Sequence, residues 1–160
     1  ACIKHGPKPR LVKSNAQLDK IIEYISNGNL TDVGILVYYN DQVKQIRDYF
    51  QSRGIPVQWK TKDEMEIDFK STSPKIITWH CAKGLQFNDV FIPCCGLDEY
   101  KQYVQWSHEP MTEKKSALYV ATTRPLENLY LLYTNNLAPL LPNPNSPVYS
   151  GNAGKNYGPF

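Results

Sequence analysis

The sequence predicts an α/β domain with a mostly parallel central sheet flanked by helices. Short apolar runs rich in β-branched residues alternate along the chain with segments whose apolar residues fall at helical spacing. Those runs are apolar throughout, the pattern of strands buried on both faces rather than on one. A chain of 160 residues, 41% of them hydrophobic, fits one core of useful size better than two small ones.

Arg10-Leu11-Val12-Lys13 is short and extended, and Ser14 or Asn15 offers an N-cap for the next helix. There Leu18, Ile21, Ile22 and Ile25 share one face, and Gly28 stands where a helix stop is expected. Val33 to Tyr39 is a fully apolar strand, after which Asn40 or Asp41 is expected to cap a second helix. Its inward positions are Val43, Ile46, Tyr49 and Phe50, up to Gly54, and Ile55 to Trp59 returns as a strand. Residues 60 to 74 are polar and predict a loop with one ordered turn.

Lys75 to Trp79 and Asp89 to Pro93 are the next two strands. Residues 97 to 112, with Tyr100, Tyr103 and Trp106, are expected to be irregular; core filling and base stacking are both open to their rings. A helix is expected from Glu113, with Leu118, Tyr119 and Ala121 inward, ending at Pro125. Glu127 to Thr134 is the last strand. The ordered domain is expected over 1–134, with a Pro/Asn/Gly-rich tail or surface-wrapping segment over 135–160.

The net charge of +3 is too mild to argue nucleic-acid binding from bulk electrostatics, so any strand-binding surface must be local. Cys2, Cys81, Cys94 and Cys95 form no CxxC and have no His spacing for a zinc site, so no metal site is expected. Cys94-Cys95 comes directly after a strand, which suggests reduced, partly buried thiols and a cytoplasmic setting. No run approaches the roughly twenty apolar residues of a membrane span, and the start lacks a signal-peptide core. A start without Met suits a fragment of something longer.

Two blocks carry chemistry. Thr78-Trp79-His80-Cys81-Ala82-Lys83-Gly84-Leu85-Gln86-Phe87 joins two strands, and both blocks are expected to share one edge of the sheet, beyond the strands' carboxyl ends. Ala117-Leu118-Tyr119-Val120-Ala121-Thr122-Thr123-Arg124 closes a helix. Lys83, the Gly84 backbone and Arg124 suit phosphates, yet no G-x-x-x-x-G-K-[ST] loop occurs to hold a nucleotide alone.

The first block resembles the T-x-H-x-x-K-G-L-E-F motif of UvrD/Rep-type superfamily I DNA helicases. The second, with Leu129-Tyr130-Leu131 after it, resembles their L-Y-V-A-x-T-R-A block, and Ile35 to Val57 is similar to a third segment with Asn40 and Gln42 in register. The resemblance implies the C-terminal motor domain, RecA-like and three-layered, which closes over ATP and Mg²⁺ bound mainly by an N-terminal RecA-like domain. It implies an arginine finger at Arg124, nucleotide contacts from Lys83, Gly84 and Gln86, and single-stranded DNA contacts from Thr78, His80 and Asn40.

The sequence departs from the family in three places. Gln86 replaces the usual Glu, so a ribose hydroxyl would meet a neutral acceptor. Pro125 replaces Ala and biases Arg124 away from helical geometry. Tyr38 stands where an Arg is typical, which suggests base stacking in place of a phosphate contact. For Arg124 a surface pairing with Glu127 is the plainer alternative, and for Asn40 a helix cap. A non-catalytic interaction or strand-binding module on the same fold is the other functional reading.

Overall fold

Apolar strands in a dry interior need every backbone N–H and C=O paired by a neighbour. Among the described residues seven strands meet this need in one sheet. The computed structural model describes residues 7–61, 65–106 and 111–151. Within them the order is β1 (Arg10–Lys13), α1 (Gln17–Gly28), β2 (Val33–Val37), α2 (Asn40–Ser52), β3 (Gln58–Lys60), β4 (Met65–Glu66) and β5 (Lys75–Thr78). A single 3-10 turn, His80–Ala82, precedes β6 (Phe87–Ile92), α3 (Leu97–Trp106), α4 (Met111–Thr122) and β7 (Pro125–Tyr133). The sheet order is β1-β7-β6-β2-β5-β3-β4, with every neighbouring pair parallel except β3 and β4 at one edge.

Alternation along the buried strands splits the core in two. Val33, Ile35 and Val37 of β2 join Ile21 of α1 and Val43, Ile46 and Phe50 of α2 on one face. Leu36, Ile77, Val90 and Leu131 face the other way, against Trp79, Ala82, Leu118 and Ala121. Each such side chain contributes about 1.5–3 kcal/mol by leaving water, which holds the three layers together. Gly34 serves this packing, because a Cβ there would meet the Phe87 ring at 2.5 Å.

Several expectations are corrected. Residues 97–106 are helical, not irregular: Asp98 and Glu99 complement the N-terminal dipole of α3, and Tyr103 is buried at 3% exposure. Leu97, Tyr100, Tyr103 and Val104 do repeat at helical spacing, a period that the aromatic character of the run obscured. Tyr103 and Tyr38, the latter at 6% exposure, fill the core and cannot stack on bases. Neither Asn40 nor Asp41 caps α2: Tyr39 is the N-cap, and the Gln42 side chain accepts from its N–H at 2.8 Å. Ala16 takes the N-cap position of α1, its own N–H bonded to Ser14 Oγ at 2.9 Å. β3 starts only after Pro56, which has no N–H for a ladder.

Residues 135–151 are part of the same folded body. Leu137 bridges to Gly96, and Ala138, Leu141 and Tyr149 are buried, Tyr149 at 1% exposure. The Ser150 N–H donates to the Pro9 carbonyl at 2.8 Å, so this segment wraps back to the start of the first strand. The rest of the expected tail, 152–160, lies outside the described residues, as does Cys2. No described helix is long and apolar enough to cross a membrane.

The topology also separates the two blocks. Parallel β5 and β6 flank β2, so the Thr78–Phe87 connection must run from the carboxyl end of one strand to the amino end of the other. Arg124 then lies at the amino end of β7, with Pro125 opposite Phe87. The blocks therefore do not both lie beyond the carboxyl ends, as strand patterns alone suggested.

Candidate functional site

At the carboxyl edge, the ends of β2 and β5 pack around Tyr38. Its ring centroid lies 4.7 Å from that of Tyr39, 5.2 Å from Trp79 and 5.7 Å from His80. The Trp79 N–H extends the pairing by donating to Val37 O at 2.7 Å. Thr78 is buried, and its hydroxyl accepts from the Cys81 N–H at 3.3 Å, tightening the turn that presents exposed His80. Thr78 thus supports the turn rather than facing solvent. Asn40 is half-buried at the first position of α2, directly after the Tyr38-Tyr39 pair. One aromatic cluster carries both Asn40 and His80.

The amino edge is built differently. After the 3-10 turn, exposed Lys83, Gly84 and Gln86 lead into β6. Gly84 adopts φ +84, a left-handed conformation that a side chain would strain, and open space surrounds its missing Cβ. The Leu85 N–H closes the turn on Ala82 O at 3.0 Å. Asp32 anchors the start of β6, accepting from the Asn88 N–H at 3.0 Å.

Arg124 joins this turn from the second block. Its guanidinium donates to Leu85 O at 3.4 Å, Val120 O at 3.2 Å and Thr123 Oγ1 at 3.0 Å, while its own carbonyl accepts from the Phe87 N–H at 3.0 Å. All three side-chain partners are neutral oxygens, so the positive charge is held in place without being neutralised among the described residues. The alternative pairing with Glu127 does not form there either. Pro125 fits without loss: α4 stops at Thr122, and the missing N–H falls at the first position of β7.

The structure therefore brings Lys83, Gly84, Gln86 and Arg124 to the amino edge, and Thr78, His80 and Asn40 to the carboxyl edge. A fixed cation beside an open glycine and an amide side chain suits one side of a polyphosphate and its sugar. No three His, Cys, Asp or Glu side chains gather to hold a metal among the described residues. Sequence reasoning missed the work of Gln42 and Tyr103. Gln42 was accessible as a Gln three residues after an N-cap, and Tyr103 through its helical spacing from Leu97 and Tyr100.

Residues 59–136 match the model of the UvrD-like helicase C-terminal domain. Over that segment, just under half of its length, the chain resembles UvrD-like helicase C-terminal domains. The matched residues include the turn at Gly84, Arg124 and all of β7, the parts that meet at the amino edge. The fold is also similar to the crystal structure of the C-terminal domain of a possible DNA helicase from Lactobacillus plantarum WCFS1. The TM-score is 0.65 at 18% identity, over 90% of this chain and 84% of that one. No curated protein sequence matches.

Proposed function

We propose that this UvrD-like domain is the C-terminal motor half of an ATP-dependent DNA helicase or translocase, working with an N-terminal RecA-like domain that supplies the phosphate loop. The observation that carries this reading is the Arg124 guanidinium bonded to Leu85 O, which sets a cation held by neutral oxygens beside the open backbone of Gly84.

Closure of the two halves would bring the γ-phosphate of ATP to Arg124, whose charge would stabilise the charge that develops as the phosphoryl group transfers. Lys83 and the Gly84 N–H line the approach. The Gln86 side-chain carbonyl accepts from a ribose hydroxyl. Mg²⁺ would arrive with the nucleotide and be held mainly by the other half. At the opposite edge His80 and Asn40 donate to the phosphates of single-stranded DNA, with Thr78 holding the His80 turn. The free thiols Cys81, Cys94 and Cys95 suit a reducing, cytoplasmic setting.

Phosphate release with ATP and single-stranded DNA tests the division of labour. The chain alone should not turn over, and turnover should appear once the N-terminal domain is joined to it. Hydrolysis by the chain alone would overturn the reading.

A further inference from the structure

Hydrogen bonds run unbroken across the carboxyl edge, from α2 to the end of β7. Gln42 Oε1 accepts from the N–H groups of Tyr38 at 3.1 Å and Tyr39 at 2.8 Å. Gln42 Nε2 donates to the Tyr103 hydroxyl at 3.0 Å, and that hydroxyl donates to Cys94 O at 3.2 Å. The Cys94 N–H donates to Gln17 Oε1 at 2.8 Å, and Gln17 Nε2 donates to Thr134 Oγ1 at 2.9 Å. Every donor and acceptor role along this belt is mutually consistent, so the amide orientations are fixed by their neighbours.

The belt contains a strained residue. Cys94 has φ +61, a left-handed conformation costly for a residue with a Cβ. It is pinned on both sides, by Gln17 at its N–H and by the Tyr103 hydroxyl at its carbonyl. Strain of this kind persists only where surrounding structure over-determines it, and it concentrates at working sites. Burial also pushes the Cys94 thiol up to about 12, so it stays protonated and unreactive.

Tyr38 and Tyr39 lead directly into Asn40, and Tyr38 touches His80. Whatever fixes their amides fixes the turn that presents both residues. Resting on the strand-contact reading above, we infer that Gln42 and Tyr103 are positioning residues for single-strand binding: they hold the Tyr38–Asn40 turn in its strand-ready shape by tying it to α3 and β6. They act through the turn and touch no nucleic acid themselves.

Tyr103→Phe keeps the ring and the fold and removes only the hydroxyl. It should speed hydrogen exchange at the Tyr38 and Tyr39 amides and weaken binding of a fluorescein-labelled oligothymidine, by fluorescence anisotropy, about fivefold, the scale of one lost buried hydrogen bond. Gln42→Ala should do the same more strongly. Gln17→Leu breaks the belt beyond Cys94 and should leave both readouts near the parent, whatever its cost in stability. Unchanged exchange at the two amides in Tyr103→Phe and Gln42→Ala would overturn the inference, as would faster exchange with unchanged strand affinity. If the parent chain itself shows no oligothymidine binding that His80→Ala or Asn40→Ala weakens, the strand-contact reading fails instead. The exchange rates then decide on their own whether Gln42 and Tyr103 hold the turn.

Discussion

The two edges of this sheet solve the same problem, how to present a polar group at the end of a strand, in opposite ways. At the carboxyl edge, His80 and Asn40 stand on a buried aromatic cluster whose backbone is held by side-chain amides and a phenol. At the amino edge, Gly84 and Gln86 lie on an open turn fixed by backbone hydrogen bonds and by the guanidinium of Arg124. The first surface is shaped by packing; the second depends on one glycine conformation and one charge. Losing one contact on a packed surface should cost it a few-fold, whereas the amino edge concentrates its function in few atoms.

The largest test of that contrast is Arg124→Ala in the complete two-domain protein. ATP turnover should fall about 1,000-fold, the scale of a lost arginine finger, while oligothymidine binding by this chain stays within about twofold. A comparable loss of strand affinity would show that the two edges are not separate. Gly84→Ala comes next. No atom stands in the way of the new Cβ, but φ +84 is strained for Ala, so chemical denaturation should show a cost of about 1–3 kcal/mol. Were stability unchanged, the turn would have relaxed, and turnover would then report whether its shape matters.

His80→Ala probes the other edge and should weaken oligothymidine binding about fivefold, with the KM for ATP of the joined protein unaltered. The mildest change is Gln86→Glu. A carboxylate is a stronger acceptor than an amide, so the KM for ATP should fall about threefold with strand affinity untouched. A rise in KM would place Gln86 away from the ribose.

How much could be read from sequence divides along the same line. Strands such as Val33–Val37 and helices such as Gln17–Gly28 were legible because burial writes itself into apolar spacing. The Thr78–Phe87 and Ala117–Arg124 motifs were legible as residue patterns. Their distribution over two edges was not, because it depends on β2 lying between β5 and β6, a pairing that no local pattern encodes. Helix α3 escaped for a different reason. Its Leu97, Tyr100, Tyr103 and Val104 do fall at helical spacing, but aromatic residues have weak helix preference and the run reads as irregular.

The hydrogen bond between Ser150 and Pro9 has a mechanical meaning for the sheet. It clips residue 150 to residue 9, so edge strand β1 is held along one side by β7 and at its start by the 135–151 segment. A strand held along one side alone frays easily, but one also fastened at its end is less free to open. The outer edge of the sheet is thereby closed by the chain itself, with the last described residues guarding the first strand.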